Sequence, residues 1–144
     1  MAITQSVCST FKSQLLSAGH NFAASGGNTF KIALYTSAAA LDSTTTVYTT
    51  TGEVSNSGTN YTTGGKTLTN SGITLSGTTA DLSFSDVSWT SASFTAAGAL
   101  IYNSTNSNNA VAVFNFGGNF TSTNGTFSVI FPAATSTTAV LILN

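Results

Sequence analysis

The spacing of apolar residues changes once along this chain, near residue 29. Before that point Ile3, Val7, Phe11 and Leu15 recur every fourth position, with Cys8 and Leu16 beside them. Such spacing predicts an amphipathic helix over 3–18, whose apolar stripe must be buried either on its own domain or on another subunit. Lys12, Ser13 and Gln14 lie mostly off the stripe, and Gly19 supplies a helix stop. Residues 20–29 are a connector with a Gly26-Gly27 turn signal. From there the period is two. Phe30, Ile32 and Leu34 alternate with Lys31, Ala33 and Tyr35, as in a half-buried strand.

Short strand signals follow at close spacing. Val47-Tyr48 starts a short edge strand, and Lys66–Thr69 is followed by an Asn70-Ser71-Gly72 turn. Ile73–Leu75 runs into a Ser76-Gly77 turn, and Ala80, Leu82 and Phe84 alternate with Asp81 and Ser83, placing Asp81 on the exposed side. Val87, Trp89 and Phe94 flank a Thr90-Ser91-Ala92 stretch, and Ala97–Tyr102 forms the next run. Ala110–Phe116, dense in Val and Phe, reads as a central strand buried on both faces, broken by Gly117-Gly118-Asn119. Thr126–Phe131 ends at Pro132, and Thr138–Leu143 closes the chain. Residues 37–46, 52–65 and 103–109 are polar loops, which with the N-terminal helix are the parts most available for contact. The expected fold is mainly β, an antiparallel β-sandwich or jelly roll of about seven to nine strands with one N-terminal amphipathic α-helix. Residues 1–28 form the helix and connector and 29–144 the β-sandwich, together one compact unit.

Composition narrows the chemistry. Only 5% of the 144 residues are charged, against about 25% in ordinary domains. There are three lysines (Lys12, Lys31, Lys66), no arginine, one glutamate (Glu53) and three aspartates (Asp42, Asp81, Asp86). Scattered lysines cannot neutralise a phosphate backbone or an anionic bilayer, so neither nucleic acid nor membrane is an expected partner. No apolar run is long enough to span a bilayer. The first residues lack the basic and apolar regions of a signal peptide, so synthesis in a cytoplasm is expected. Cys8, the lone cysteine, excludes an internal disulfide and a cysteine zinc site. With 41% apolar and 10% aromatic residues, the chain has the hydrophobicity of a folded domain.

Few residues suggest catalysis. His20, the only histidine, has no identifiable nucleophile or orienting carboxylate. Asp81 and Asp86 are the one candidate pair for glycoside hydrolysis, and solvated-strand and turn roles account for them more simply. Glu53 lies in a Gly-rich excursion without an obvious partner. Gly64-Gly65-Lys66-Thr67 resembles the end of a phosphate loop, but the leading glycine is missing and strands flank it, as in a hairpin turn. Trp89, Tyr61 and Tyr102 could stack on a sugar, with core or rim packing as the plainer role. No catalytic, cofactor-binding or metal-binding residue is expected.

Several stretches carry a family likeness: Ile3–Leu16, Thr29–Ser37, Tyr61–Leu68, Val87–Thr90, Phe94–Asn103, Ala112–Phe116 and Phe127–Pro132. In this order they resemble small virion structural proteins of tailed bacteriophages, over nearly the whole chain. These are scaffold motifs, and no family active-site residue maps onto the sequence. The resemblance implies a non-enzymatic virion protein, most concretely a capsid decoration or cement protein, homo-oligomeric and contacting the major capsid protein or other virion proteins. The candidate interface is Ile3, Val7, Phe11 and Leu15 on the helix, with Tyr61, Trp89 and Tyr102. A tail-fibre or receptor-binding module that holds bacterial surface glycan through Trp89, Tyr61 and the Asn-rich loops is the alternative. A glycan hydrolase using Asp81 and Asp86 is a third possibility.

Overall fold

The computed structural model describes residues 2–135 and 138–143. Met1 and Asn144, the outermost residues of the two expected units, lie outside that description. The chain is mainly β, with two antiparallel sheets in a sandwich-like arrangement and one short N-terminal helix. Strands β1 (Ser6–Val7), β2 (Phe30–Tyr35), β3 (Lys66–Thr67), β6 (Val87–Asn103) and β7 (Asn109–Val129) make the larger sheet, in the order β1-β7-β6-β2-β3. The smaller sheet is β4 (Asn70–Ser76), β5 (Thr79–Phe84) and β8 (Leu141–Leu143), with β5 central.

Helix α1 covers only Ser9–Leu16, not 3–18. Ile3 instead bridges Leu41, and Ser6 and Val7 pair with Val113 and Ala112 of β7. A spacing of four residues is a turn of helix but also an even number, so Ile3 and Val7 share a face in either conformation. The β-branched residues Ile3, Thr4 and Val7 favour the extended one once a strand edge is available. Cys8, extended at φ −65° and ψ 137°, is the switch point. Phe11 is the residue that α1 buries, worth about 2 kcal/mol.

Two expected strand pairs are each a single long strand. The runs at 87–94 and 97–102 merge into β6, and 110–116 and 126–131 merge into β7. The hairpin turns at 104–108. Gly117-Gly118-Asn119 does not end β7 but sits in a bulge. Gly98 pairs with Asn115 and Ala96 with Phe120, so extra residues loop out of β7 between them. The Thr90-Ser91-Ala92 stretch is likewise a register shift within β6. Other boundaries also differ. Val47 makes one bridge to Asn109 instead of starting a strand, and β3 stops at Thr67. Residues 70–72 are an irregularity in β4, not a turn, and the last strand begins at Leu141.

Register assigns the two faces of the larger sheet. Phe30, Ile32 and Leu34 share a face with Asn103, Ile101 and Ala99, and Lys31, Ala33 and Tyr35 share the other with Tyr102, Leu100 and Gly98. The first face receives the connector and the smaller sheet. Phe22 stacks on Phe30 at 4.3 Å between ring centroids, and Phe84 reaches the same ring at 6.1 Å. On the second face lie residues of the 37–65 segment, expected as surface loops at 37–46 and 52–65 around a short strand starting at Val47-Tyr48. Its Ala39, Leu41, Val54 and Tyr61 are buried, and Tyr48 stacks on Tyr102 at 4.7 Å. β2 is therefore not half-buried as its alternation predicts: Ala33 and Tyr35 are covered as well, because the 37–65 segment packs on their face.

Candidate functional site

Glu53 has three partners. Its Oε1 accepts the Tyr61 hydroxyl at 2.7 Å and the Gly64 N–H at 2.7 Å, and its Oε2 accepts the Tyr48 hydroxyl at 2.6 Å. The Tyr61 oxygen in turn accepts the N–H of Leu34. Only Lys31 and Ile32 of β2 pair with β3, so beyond them the β2 edge is closed by Tyr61 and by Val54, whose N–H reaches the Leu34 carbonyl. Tyr35 donates to the Thr49 carbonyl at 2.6 Å and Tyr102 to that of Gly64 at 2.7 Å. All four tyrosines of the chain thus converge on one carboxylate and the loop that carries it.

Gly65 lets that loop approach. At φ +73°, a Cβ there would lie 1.8 Å from the Ile32 carbonyl oxygen, so only glycine fits. Electrostatics keep the phenols as donors. Burial first, and then the Glu53 charge, push the Tyr35 and Tyr102 hydroxyls up, Tyr102 to about 12. Burial is also the main cause for Tyr48 and Tyr61, with the Glu53 hydrogen bond adding to it. A carboxylate holding three donors, with phenols that keep their protons, fastens a loop to a sheet edge and offers no free base or nucleophile. In the sequence Glu53 has no obvious partner. The available signal was that the only glutamate interrupts a neutral, Gly-rich stretch.

His20 belongs to a second closed network. Asn103 Oδ1 accepts the N–H groups of Thr105 and Asn106, so its amide nitrogen donates to His20 Nδ1 at 3.0 Å and to Asn28 Oδ1 at 2.8 Å. His20 Nε2 then carries the proton, donated to Gln14 Oε1 at 2.9 Å. Protonating Nδ1 would set a donor against a donor. Burial also lowers the histidine below its ordinary 6.5. The network ties helix, connector and β6–β7 turn together.

Asp81 is not on an exposed strand face. It is 1% exposed, and among the described residues neither carboxylate oxygen has a hydrogen-bond partner. Alternation failed here because the chain returns. Ile142 of β8 pairs opposite Asp81, and the neighbouring Ser83 hydroxyl donates to the Pro132 carbonyl. Asp86 is exposed and accepts the Phe131 N–H at 2.9 Å, so the two aspartates sit in different environments.

The residues expected at an interface lie mostly inside. Ile3, Phe11, Tyr61, Trp89 and Tyr102 are each less than 9% exposed, and Val7 and Leu15 are half-buried against the same core. Trp89 meets Tyr61, Phe94 and Phe127 at 6.1–6.4 Å between ring centroids. Neither it nor Tyr61 presents a face for sugar stacking. Exposed apolar groups lie elsewhere, with Ile73, Leu75 and Leu143 on the smaller sheet and Leu16 at the helix end. Val7, Phe11, Leu15 and Phe22 face Ile73, Leu82, Leu141 and Leu143 across an apolar groove of about 220 Å³. Among the described residues no three His, Cys, Asp or Glu side chains cluster to hold a metal, and no helix is long and apolar enough to cross a membrane. No family model, curated protein or solved structure matches the chain.

Proposed function

We propose that this chain is a non-enzymatic structural subunit of a bacteriophage virion, most concretely a capsid decoration or cement protein. The observation that carries the reading is the inward turn of its polar chemistry. Glu53, the tyrosines and His20 are all engaged in closing the fold, which leaves a surface of Ser, Thr, Asn and Gly with very few charges. Such a surface repels neighbouring copies weakly and tolerates dense packing. A cement protein acts by repeated contacts over a closed shell, where mass action and multivalency turn modest interfaces into large stabilisation. The sequence resemblance to small virion proteins points the same way. The glycan-binding alternative named Trp89, Tyr61 and the Asn-rich loops, and both of those rings are buried, so neither of them supplies a stacking platform.

Imaging of purified particles with a count of copies tests the proposal. Hundreds of copies on the head are expected. A few copies at a tail tip would transfer the chain to the receptor-binding class, and absence from particles would overturn the virion reading.

A further inference from the structure

We propose that a second copy of this chain pairs edge to edge with β4 about a two-fold axis at Thr74, joining two three-stranded sheets into one of six strands. The β4–β5 hairpin sets which main-chain groups of β4 point outward. Ser76 pairs with Thr79 across a two-residue loop, Gly77-Thr78, with Gly77 at φ +64°. Such a loop is closed by a hydrogen-bonded pair, and the bonding alternates from there. Thr74 therefore bonds Asp81, whereas Ile73 and Leu75 turn their N–H and C=O groups away from β5. No backbone hydrogen bond joins those groups to another described segment.

An open edge is normally protected by charge, proline or brevity. β1 and β3 have two residues each, β3 carries Lys66, and β8 has three residues. β4 has seven, with neither charge nor proline. The irregularity at Ser71-Gly72 confines its regular stretch to Ile73–Ser76.

The apolar face of this sheet supports the same occupant. Register sets Leu75, Ala80 and Leu143 in one row and Ile73, Leu82 and Leu141 in the next. The outer side chains are open, with Ile73 61%, Leu75 73% and Leu143 58% exposed. An antiparallel partner centred on Thr74 sets Ile73 opposite Leu75 of the second copy, and the reverse. Both pairs exchange two main-chain hydrogen bonds, and the four side chains form one apolar cluster. On the opposite face Thr74 meets Thr74 of the second copy, a favourable cross-strand pair. The strand is thus complementary to itself, the two-fold closes the assembly at a dimer, and a net charge of −1 opposes it little.

This pairing stands apart from the virion reading, because its test uses the isolated chain. Sedimentation equilibrium of the full chain should give twice 14.6 kDa as concentration rises. Thr74→Cys should oxidise to a covalent dimer, since directly facing residues of a non-hydrogen-bonded pair have Cα atoms about 4.5 Å apart. Ser76→Cys, on the same face but displaced along the strand, should not, and buried Cys8 stays silent in both. Leu75→Pro removes an outward N–H without touching the β5 ladder, so it should sediment as a monomer with an unchanged circular dichroism spectrum. Leu75→Lys should do the same. A wild-type monomer at every concentration, or equal cross-linking of the two cysteine variants, overturns the proposal. So does a dimer that survives Leu75→Pro, including one that only Leu75→Lys dissolves, which would mean association by the apolar face alone.

Discussion

Glu53 and Asp81 are two carboxylates with opposite environments. Among the described residues Glu53 answers three donors, and Asp81 answers none. Replacing Glu53 with Ala leaves two phenols and one N–H without an acceptor and should cost about 3 kcal/mol in urea denaturation. Asp81→Val removes a buried group that no described residue pairs and should raise stability by about 1–2 kcal/mol in the same assay. His20 links stability to pH. Its folded value lies below 6.5, so the unfolded chain binds the proton first as pH falls. The contribution is complete above about pH 6.5 and declines below it. Melting temperature should therefore drop between pH 7 and 5, and His20→Gln should flatten that limb while lowering stability by about 2 kcal/mol. At the alkaline end burial and the Asp42 charge push the Cys8 thiol up to about 11, from 9.0, so its contribution is complete below pH 9 and is lost as pH rises towards 11.

At the scale of elements, local pattern sufficed where a strand's neighbours matched its own periodicity. The alternation over 30–35 coincides with β2, and the Ser76-Gly77 signal with the β4–β5 turn. Failures came where a partner strand decided the outcome. Gly117-Gly118 reads as a break, but β6 continues opposite it, and a bulge costs less than abandoning the ladder beyond. The loop carrying Gly65 is the element most sensitive to substitution, since backbone lies where a side chain would go. Gly65→Ala should lower stability by more than about 3 kcal/mol, read as a loss of soluble folded protein or a large fall in urea midpoint. The Glu53 site was illegible for a related reason. Tyr35, Tyr48, Tyr61 and Tyr102 are far apart in the chain, and only the return of the 37–65 segment onto β2 and β6 gathers them.

For the molecule as a whole, packing and neutral hydrogen bonds carry the fold. The described residues show Tyr, Asn and backbone contacts in place of ion pairs, and the chain has only seven Asp, Glu, Lys and Arg side chains. Stability should consequently change by less than about 0.5 kcal/mol between low and molar sodium chloride, measured by urea denaturation. A large salt dependence would mean that the few charges are coupled through contacts absent from this fold.

The sequence by itself determined the mainly β class, the presence of one N-terminal helix, the positions of most strands and the scarcity of acid–base and phosphate-binding chemistry. Those properties follow from period, turn residues and composition, which act over a few neighbouring residues. Only the tertiary structure decided that Ile3 and Val7 join strands, that Asp81 is covered and Trp89 enclosed, and that Glu53 gathers the tyrosines. It also decided that Ile73 and Leu75 stay outside. Each depends on which distant segment lies alongside, and alternation within a strand cannot say whether its outer face meets water or another part of the chain.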